Sequence, residues 1–367
     1  MATTVFASPA TYVQGSDVLF QSAPYLHQLG DRLLIMGGQT VFDLLGAQFF
    51  TYLKGQGFTL QEVEFQGEAS EAEINRITTI GQEFQANVIV GLGGGKTLDS
   101  AKAIADNLGC KVAILPTLAS TDAPCSRLSV IYHEDGSFAN YRFYRHNPDL
   151  VLVDTKVIAQ APARYFASGI ADALATNVEA QAVHQAAGKT MLDAQQTQVG
   201  LAIAERCEAT LFAYGEMALS AVANQTSSQA VEKIVEANTL MSGVGFESGG
   251  LSAAHAIHNG LSALTGRIHE MTHGEKVAFG TLTQLMLEGA DQTRFEKYLK
   301  LMLALGLPTT FKAVGIDDPS EANLLKVGEL ACATGDTMDR MPFKVTPADV
   351  ADAMRAADAY SRAYQEK

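Results

Sequence analysis

The sequence predicts an α/β N-terminal domain followed by an all-helical C-terminal domain. Three observations carry this. Short buried apolar runs alternate with helical spacings over the first 160 residues. The texture then shifts to Ala-, Glu- and Gln-rich segments of 3.6-residue period, with Pro162 in QAPARY as a natural break. At 367 residues, the chain is also too long for one simple core. The boundaries expected are 1–161 for the α/β domain and 162–367 for the all-helical domain.

The elements follow in order. RLLIMGG (32–38) is a buried strand ending in glycines, and helical spacing runs on through Phe42, Leu45 and Phe49. TLQEVEF (59–65) alternates as a strand does, and EAEINRITTIGQEFQA (71–86) has helical period. NVIVGLGGGK (87–96) is a buried strand entering a glycine loop. The helix after it has Leu98, Ala101, Ala105 and Leu108 on one face, and KVAILP (111–116) is the next strand. This rhythm implies a Rossmann-like parallel sheet covered by helices. Two strand-like runs around Asp135-Gly136 in LSVIYHEDGSFANYRFY predict a hairpin, and LVLVD (150–154) a last buried strand.

Composition narrows the class. With 47% hydrophobic and 18% charged residues, the chain can bury large cores, and no apolar run approaches the roughly 18 residues of a membrane span. The N-terminus lacks a basic segment followed by an apolar one, so no signal peptide is expected. A net charge of −14 argues against a nucleic-acid partner and suits a cytoplasmic enzyme. Cys110, Cys125, Cys207 and Cys332 form no C-x-x-C, which indicates neither a disulfide framework nor a thiolate zinc site. Cys110, Cys207 and Cys332 are expected to act as small buried hydrophobes.

GLGGGKT (91–97) lies between a buried strand and a helix, where backbone N–H groups can approach a phosphate. The P-loop pattern fails at Val90, and the dinucleotide fingerprint fails at Lys96. The loop is therefore a phosphate-binding loop of neither common type, three successive glycines being entropically costly for a mere turn.

SAAHAIHNGLSALTGRIHEMTHGEK (252–276) holds four of the eight histidines and contains HEMTH, the H-E-x-x-H pattern of zinc peptidases. A peptidase site needs both histidines on one continuous helix. Gly274 directly after His273 reads as a helix end signal, so a helix here would stop at the second histidine. A split site fits better: His255 and His258 share a helical face, His273 follows a loop, and Asp172 in ASGIADALAT is an acid within an apolar segment. A structural Asp172 with satisfied core histidines stands level with it.

Five segments, GLGGGKTLDSAKAIAD, PTLASTDAPCSRLSVIY, GIADALAT, GFESGGLSAAHAIHNG and THGEKVAFGTLTQL, together resemble the metal-dependent, iron-type alcohol dehydrogenases, in their glycerol dehydrogenase branch. The resemblance covers nearly the whole chain and implies a dehydroquinate synthase-like fold. It implies oxidation of glycerol and related 1,2-diols to dihydroxyacetone by zinc-assisted hydride transfer to NAD. Asp172, His255 and His273 would hold zinc and meet the substrate, leaving His269 and Glu270 outside the site. Gly93, Gly94, Gly95 and Lys96 would hold the NAD pyrophosphate. Thr117, Ser120, Ser126, Leu128 and Tyr132 would line the nicotinamide side. Asp122 would contact substrate, Phe246 would wall the pocket, and His258 joins Asp122 as a catalytic candidate. A homo-oligomer, an octamer by resemblance, is implied. A carbon–oxygen lyase of the dehydroquinate synthase type is the alternative. The chain departs from the family pattern at Gly38, where relatives carry an acid for the adenosine ribose, at Asn177 and in GDTMDRMP (335–342).

Overall fold

The computed structural model describes residues 3–367. Two compact units result. One holds residues 7–162 and 221–243; the other holds 163–220 and 244–367, together with the N-terminal segment up to Phe6.

The first unit is built on eight strands: β1 (Tyr12–Gly15), β2 (Arg32–Gly37), β3 (Thr59–Glu64), β4 (Val88–Gly93), β5 (Lys111–Pro116), β6 (Leu128–Tyr132), β7 (Phe138–Phe143) and β8 (Leu150–Asp154). Six form a parallel sheet in the order β1-β8-β5-β4-β2-β3. β4 and β8 are buried along their whole length, as continuous apolar runs covered on both faces must be. β6 and β7 form the expected antiparallel hairpin, with Leu128 opposite Phe143 and a bulge at Ile131/Tyr132. Gly136 turns it at φ 82°, beside Asp135, whose carboxylate accepts from the Ser137 N–H and hydroxyl. β1 was not expected. It is a four-residue edge strand, half-buried throughout, that pairs with β8 from Tyr12↔Val151 to Gly15↔Asp154.

Helices of eight or more residues in the first unit include α1 (Ala47–Gly55), α2 (Glu71–Phe84) and α3 (Gly95–Leu108). Ser70 caps α2 by accepting from the Glu73 N–H, and Gly109 closes α3 at φ 64°. The segment 221–243 carries α6 (Gln229–Glu236) and is fastened to the sheet. Glu232 accepts from Thr155 Oγ1 at 2.5 Å and Gln14 Nε2 at 3.0 Å, and Asn238 Nδ2 donates to the Ala119 carbonyl at 3.0 Å. It thereby braces the loop that follows β5.

The other helices are α4 (Ala163–Gln185), α5 (Gln198–Ala223), α7 (Ser242–Gly249), α8 (Ala253–Leu261), α9 (His273–Leu287), α10 (Gln292–Ala304), α11 (Glu321–Ala331) and α12 (Pro347–Gln365). α4 is buried on every side from Phe166 to Ala180, the behaviour of a central helix. α8, α9, α11 and α12 share a core through Ile257, Leu261, Phe279, Val327 and Met354. Cys207 is buried as expected, whereas Cys110 and Cys332 are only partly so; none of the four forms a disulfide. Among the described residues, no helix is long and apolar enough to cross a membrane.

Candidate metal centre and phosphate loop

Asp172 and Glu179 lie seven residues apart on α4, two turns along one face, and both are fully buried. α8 brings His255 to this face, and His273 is the first residue of α9. Asp172 Oδ1 lies 3.3 Å from His255 Nε2 and 3.0 Å from His273 Nε2. One donor atom from each of the three lies within 4.8 Å of the others. One carboxylate oxygen and two imidazole nitrogens form a donor set suited to a borderline divalent cation.

The electrostatics agree with that. Burial alone would raise the Asp172 carboxyl pKa, but the His273 and His255 imidazoles hold it far below the usual carboxylate range. Burial alone would lower His255, but Glu179 and Asp172 raise it well above the ordinary histidine value.

The start of α9 corrects one expectation. Gly274 does not end a helix at His273; the helix begins there. Thr272 and Glu275 form a reciprocal capping box, and Gly274 sits within the first turn. The glycine is needed for closeness: a Cβ at Gly274 would fall 1.8 Å from the Ser168 carbonyl oxygen. HEMTH is accordingly not one helical face. His269 and Glu270 belong to a separate 3₁₀ turn, Arg267–Glu270, and both are exposed. His269 Nε2 pairs with the Leu264 carbonyl at 2.7 Å.

His258 adjoins the trio, its ring centroid 4.3 Å from that of His273. Burial, then the nearby His273 and Lys276, push its pKa well below the ordinary value, favouring a neutral ring. Its Nδ1 pairs with Asn259 Oδ1 at 3.1 Å, and Asn259 Nδ2 donates to Asp336 at 3.0 Å. Asp336 comes from the unusual GDTMDRMP segment. Asn177, another of the departures, donates to Glu208. Phe246 is buried within α7.

The remaining candidates gather in the sheet unit. Gly93 ends β4, Gly94 precedes α3 and Gly95 opens it. None of the three lies at positive φ, so the need for glycine here is steric, not conformational. At Gly93 a Cβ would fall 2.8 Å from Thr97 Oγ1. At Gly94 and Gly95 the nearest protein atoms would be 3.4 Å away. A side chain there would instead fill space above a helix N-terminus that has no side-chain cap, where free N–H groups suit an anion. Lys96 is exposed, bonded to Glu68 at 2.6 Å and 5.3 Å above the Tyr132 ring. Thr117 donates its N–H to Gly93, continuing the β4–β5 ladder, and Thr117, Ser120, Asp122, Ser126 and Leu128 are buried along the same loop.

Two buried charged groups beside these residues were not singled out in the sequence. One is Glu179, whose carboxylate lies 2.5 Å from His255 Nδ1. The other is Lys102. Almost fully buried, it bonds Asp99 at 3.0 Å, the Ala123 carbonyl at 2.6 Å and the Leu128 carbonyl at 2.8 Å. The Asp172/Glu179 and Asp99/Lys102 spacings were visible as shared helical faces; nothing in sequence showed what those faces met.

Residues 9–155 match the model of the iron-containing alcohol dehydrogenase family. A glycerol dehydrogenase of Escherichia coli O6:H1 is 46% identical over 363 residues, 99% of each chain. A glycolaldehyde reductase of Halobacterium salinarum is 45% identical over 365 residues, covering 100% of both. The crystal structure of glycerol dehydrogenase from Schizosaccharomyces pombe superposes with a TM-score of 0.96 at 39% identity, covering 100% of this chain and 93% of that one. These relatives are oxidoreductases, which does not favour the lyase alternative. The family implies NAD and a divalent metal, for which the glycine loop and the Asp172–His255–His273 cluster offer fitting groups. With likeness of this extent along its whole length, the chain belongs to the iron-containing alcohol dehydrogenases and is an NAD-dependent alcohol oxidoreductase.

Proposed function

We propose that this enzyme oxidises glycerol and related 1,2-diols, giving dihydroxyacetone from glycerol, with zinc as its metal. The observation that carries the proposal is the convergence of Asp172, His255 and His273 on one point, with Asp172 and His255 buried and His273 half-buried. A divalent ion there supplies Lewis acidity toward an alcohol oxygen, and NAD supplies the hydride acceptor.

The chain's own residues do the rest. Asp172, His255 and His273 would hold the ion through one donor atom each. The N–H groups of the Gly93–Gly95 loop and Lys96 bind the pyrophosphate, while Thr117, Ser120, Ser126, Leu128 and Tyr132 position the nicotinamide. Asp122 contacts substrate hydroxyls, and Phe246 keeps the pocket apolar. His258 holds its Nδ1 proton against Asn259 Oδ1, so its Nε2 can take the proton the alcohol loses as hydride leaves carbon. We further propose a cytoplasmic homo-oligomer, an octamer by resemblance.

A second reading is reduction of glycolaldehyde, favoured by the full-length likeness to the H. salinarum reductase. It uses the same groups with hydride moving the other way. The deciding experiment strips the metal with a chelator, restores zinc or ferrous iron, and follows NADH with glycerol, 1,2-propanediol and glycolaldehyde. NADH formation from glycerol, restored best by zinc, is the expected result. NADH consumption with glycolaldehyde, and no turnover of either diol, would replace the first reading with the second.

A further inference from the structure

Glu179 is a fully buried acid on α4, and each of its oxygens is engaged. Oε1 accepts the backbone N–H of Ser252 at 2.8 Å and of His255 at 3.0 Å. Oε2 lies 2.5 Å from His255 Nδ1. α8 begins here without a cap from its own Ser252, whose side chain makes no capping bond. Its first-turn donors are met from two other helices: by Glu179 of α4, and by Gln284 of α9, which accepts from Ala254 at 2.8 Å. Glu179 therefore fixes both the backbone that carries His255 and the imidazole itself.

We propose that Glu179 is a positioning residue for the metal centre. It accepts the Nδ1 proton of His255 and so presents the Nε2 lone pair toward Asp172 and His273. The chemistry is specific. An ionised carboxylate only accepts hydrogen bonds, so the nitrogen facing it must carry the proton. The other nitrogen, 3.3 Å from Asp172 Oδ1, is then left to bind the ion. The carboxylate also places a negative charge at the N-terminus of α8, where the helix dipole favours it. The inference rests on the reading of Asp172, His255 and His273 as metal ligands.

The test is Glu179→Gln. Glutamine has the same shape, and its oxygen can still accept from Ser252 and His255. Its amide nitrogen, however, would donate toward Nδ1 and drive the histidine proton to Nε2, where it blocks the metal. Zinc affinity is measured by competition with a chelating dye, alongside the melting temperature of the metal-free protein. The expected result is zinc binding about 10–100-fold weaker, the usual cost of losing a partner of a metal-bound histidine, with little change in melting temperature. Unchanged zinc affinity, with or without a lowered melting temperature, overturns the proposal and leaves Glu179 as a helix cap alone. His273→Ala separates the premises: wild-type zinc affinity in that variant overturns the ligand reading, and this inference with it. A measurement on the zinc-loaded wild type covers the case of a misfolded variant. Histidine-selective nitrogen-15 spectra should show a His255 proton on Nδ1; a proton on Nε2 refutes the assignment.

Discussion

Gly274 and Ser168 come as close as two backbones allow: a Cβ on Gly274 would fall 1.8 Å from the Ser168 carbonyl oxygen, and the Gly274 N–H donates to Ser168 Oγ at 3.2 Å. Ser168 stands one turn before Asp172 on α4, and Gly274 directly follows His273 on α9. This contact sets the distance between the carboxylate and the second imidazole. Gly274→Ala cannot be absorbed by a flexible side chain, because the obstacle is backbone. The variant should lose about 1–3 kcal/mol or more, as overpacked sites do, and its zinc affinity should fall as His273 moves off. Thermal melting and zinc titration check both; a variant with wild-type values in each would show that α9 is not held by this contact.

Lys102 offers a second test, in the sheet unit. Its ammonium is the shared donor for Asp99, Ala123 and Leu128, so it ties α3, which opens at the glycine loop, to both ends of the segment that follows Asp122 and carries Ser126. Lys102→Met keeps the stem but leaves Asp99 with a buried charge, which the Val130 N–H still partly satisfies. Removing one partner of a buried pair typically costs about 3–5 kcal/mol. A fall of that order in urea unfolding is expected, with a raised KM for NAD. A stable variant with an unchanged KM would make the lysine dispensable.

These two contacts show where the sequence is legible and where it is not. The strands β2, β4, β5 and β8 announce themselves because each is a continuous apolar run buried on both faces. β1 does not, because four half-buried residues at a sheet edge carry no alternation. At the start of α9, Gly274 reads as a stop signal in the sequence. The Thr272–Glu275 capping pattern was present in the same five residues and marks the true start. For Asp172, His255 and His273, pattern alone leaves a metal site and a structural reading level, and the family resemblance is what favours the metal site. Three separate helices supply them, Asp172 standing far before the two histidines in the chain, and spacing cannot report convergence between distant elements. Glu179 and Lys102 were missed for a related reason: periodicity tells which side chains share a face, not which groups from other elements meet it.

Acid sensitivity should have one assignable contributor. Glu296 of α10 accepts from Gln292 at 2.7 Å and Tyr360 of α12 at 2.8 Å, and pairs with Lys300 at 3.1 Å. These bonds, Gln292 first, lower its pKa to about 2, whereas an unfolded glutamate titrates near 4.3. A depressed folded value means stability that is present above the unfolded pKa and lost as pH falls toward the folded one. The wild type should therefore exceed Glu296→Gln in urea midpoint at pH 7, and the gap should narrow between about pH 4.3 and pH 2. A gap constant across that window would assign the difference to something other than this titration.

Cofactor choice can be tested at Gly38. It follows β2, at φ −70° and ψ 155°, and opens the helical segment beginning at Gln39. A Cβ there would meet nothing within 4 Å, so an aspartate fits without strain. The neighbouring Gln39 is occupied, its amide donating to Asp43 at 2.6 Å, which weakens it as a substitute partner for a ribose hydroxyl. One arginine does reach the same strand ends. Arg76 bonds the carbonyl of Glu64, the last residue of β3, while the next residue, Phe65, donates to Gly37. It is already held by both oxygens of Glu73, however, so it offers a 2′-phosphate little free charge. The wild type should thus prefer NAD, but by a modest margin, since no carboxylate at position 38 repels the extra phosphate. Gly38→Asp should lower kcat/KM with NADP more than with NAD. The comparison requires both cofactors with both proteins. If the wild type already refuses NADP and the substitution changes neither value, discrimination arises elsewhere in the cofactor loop.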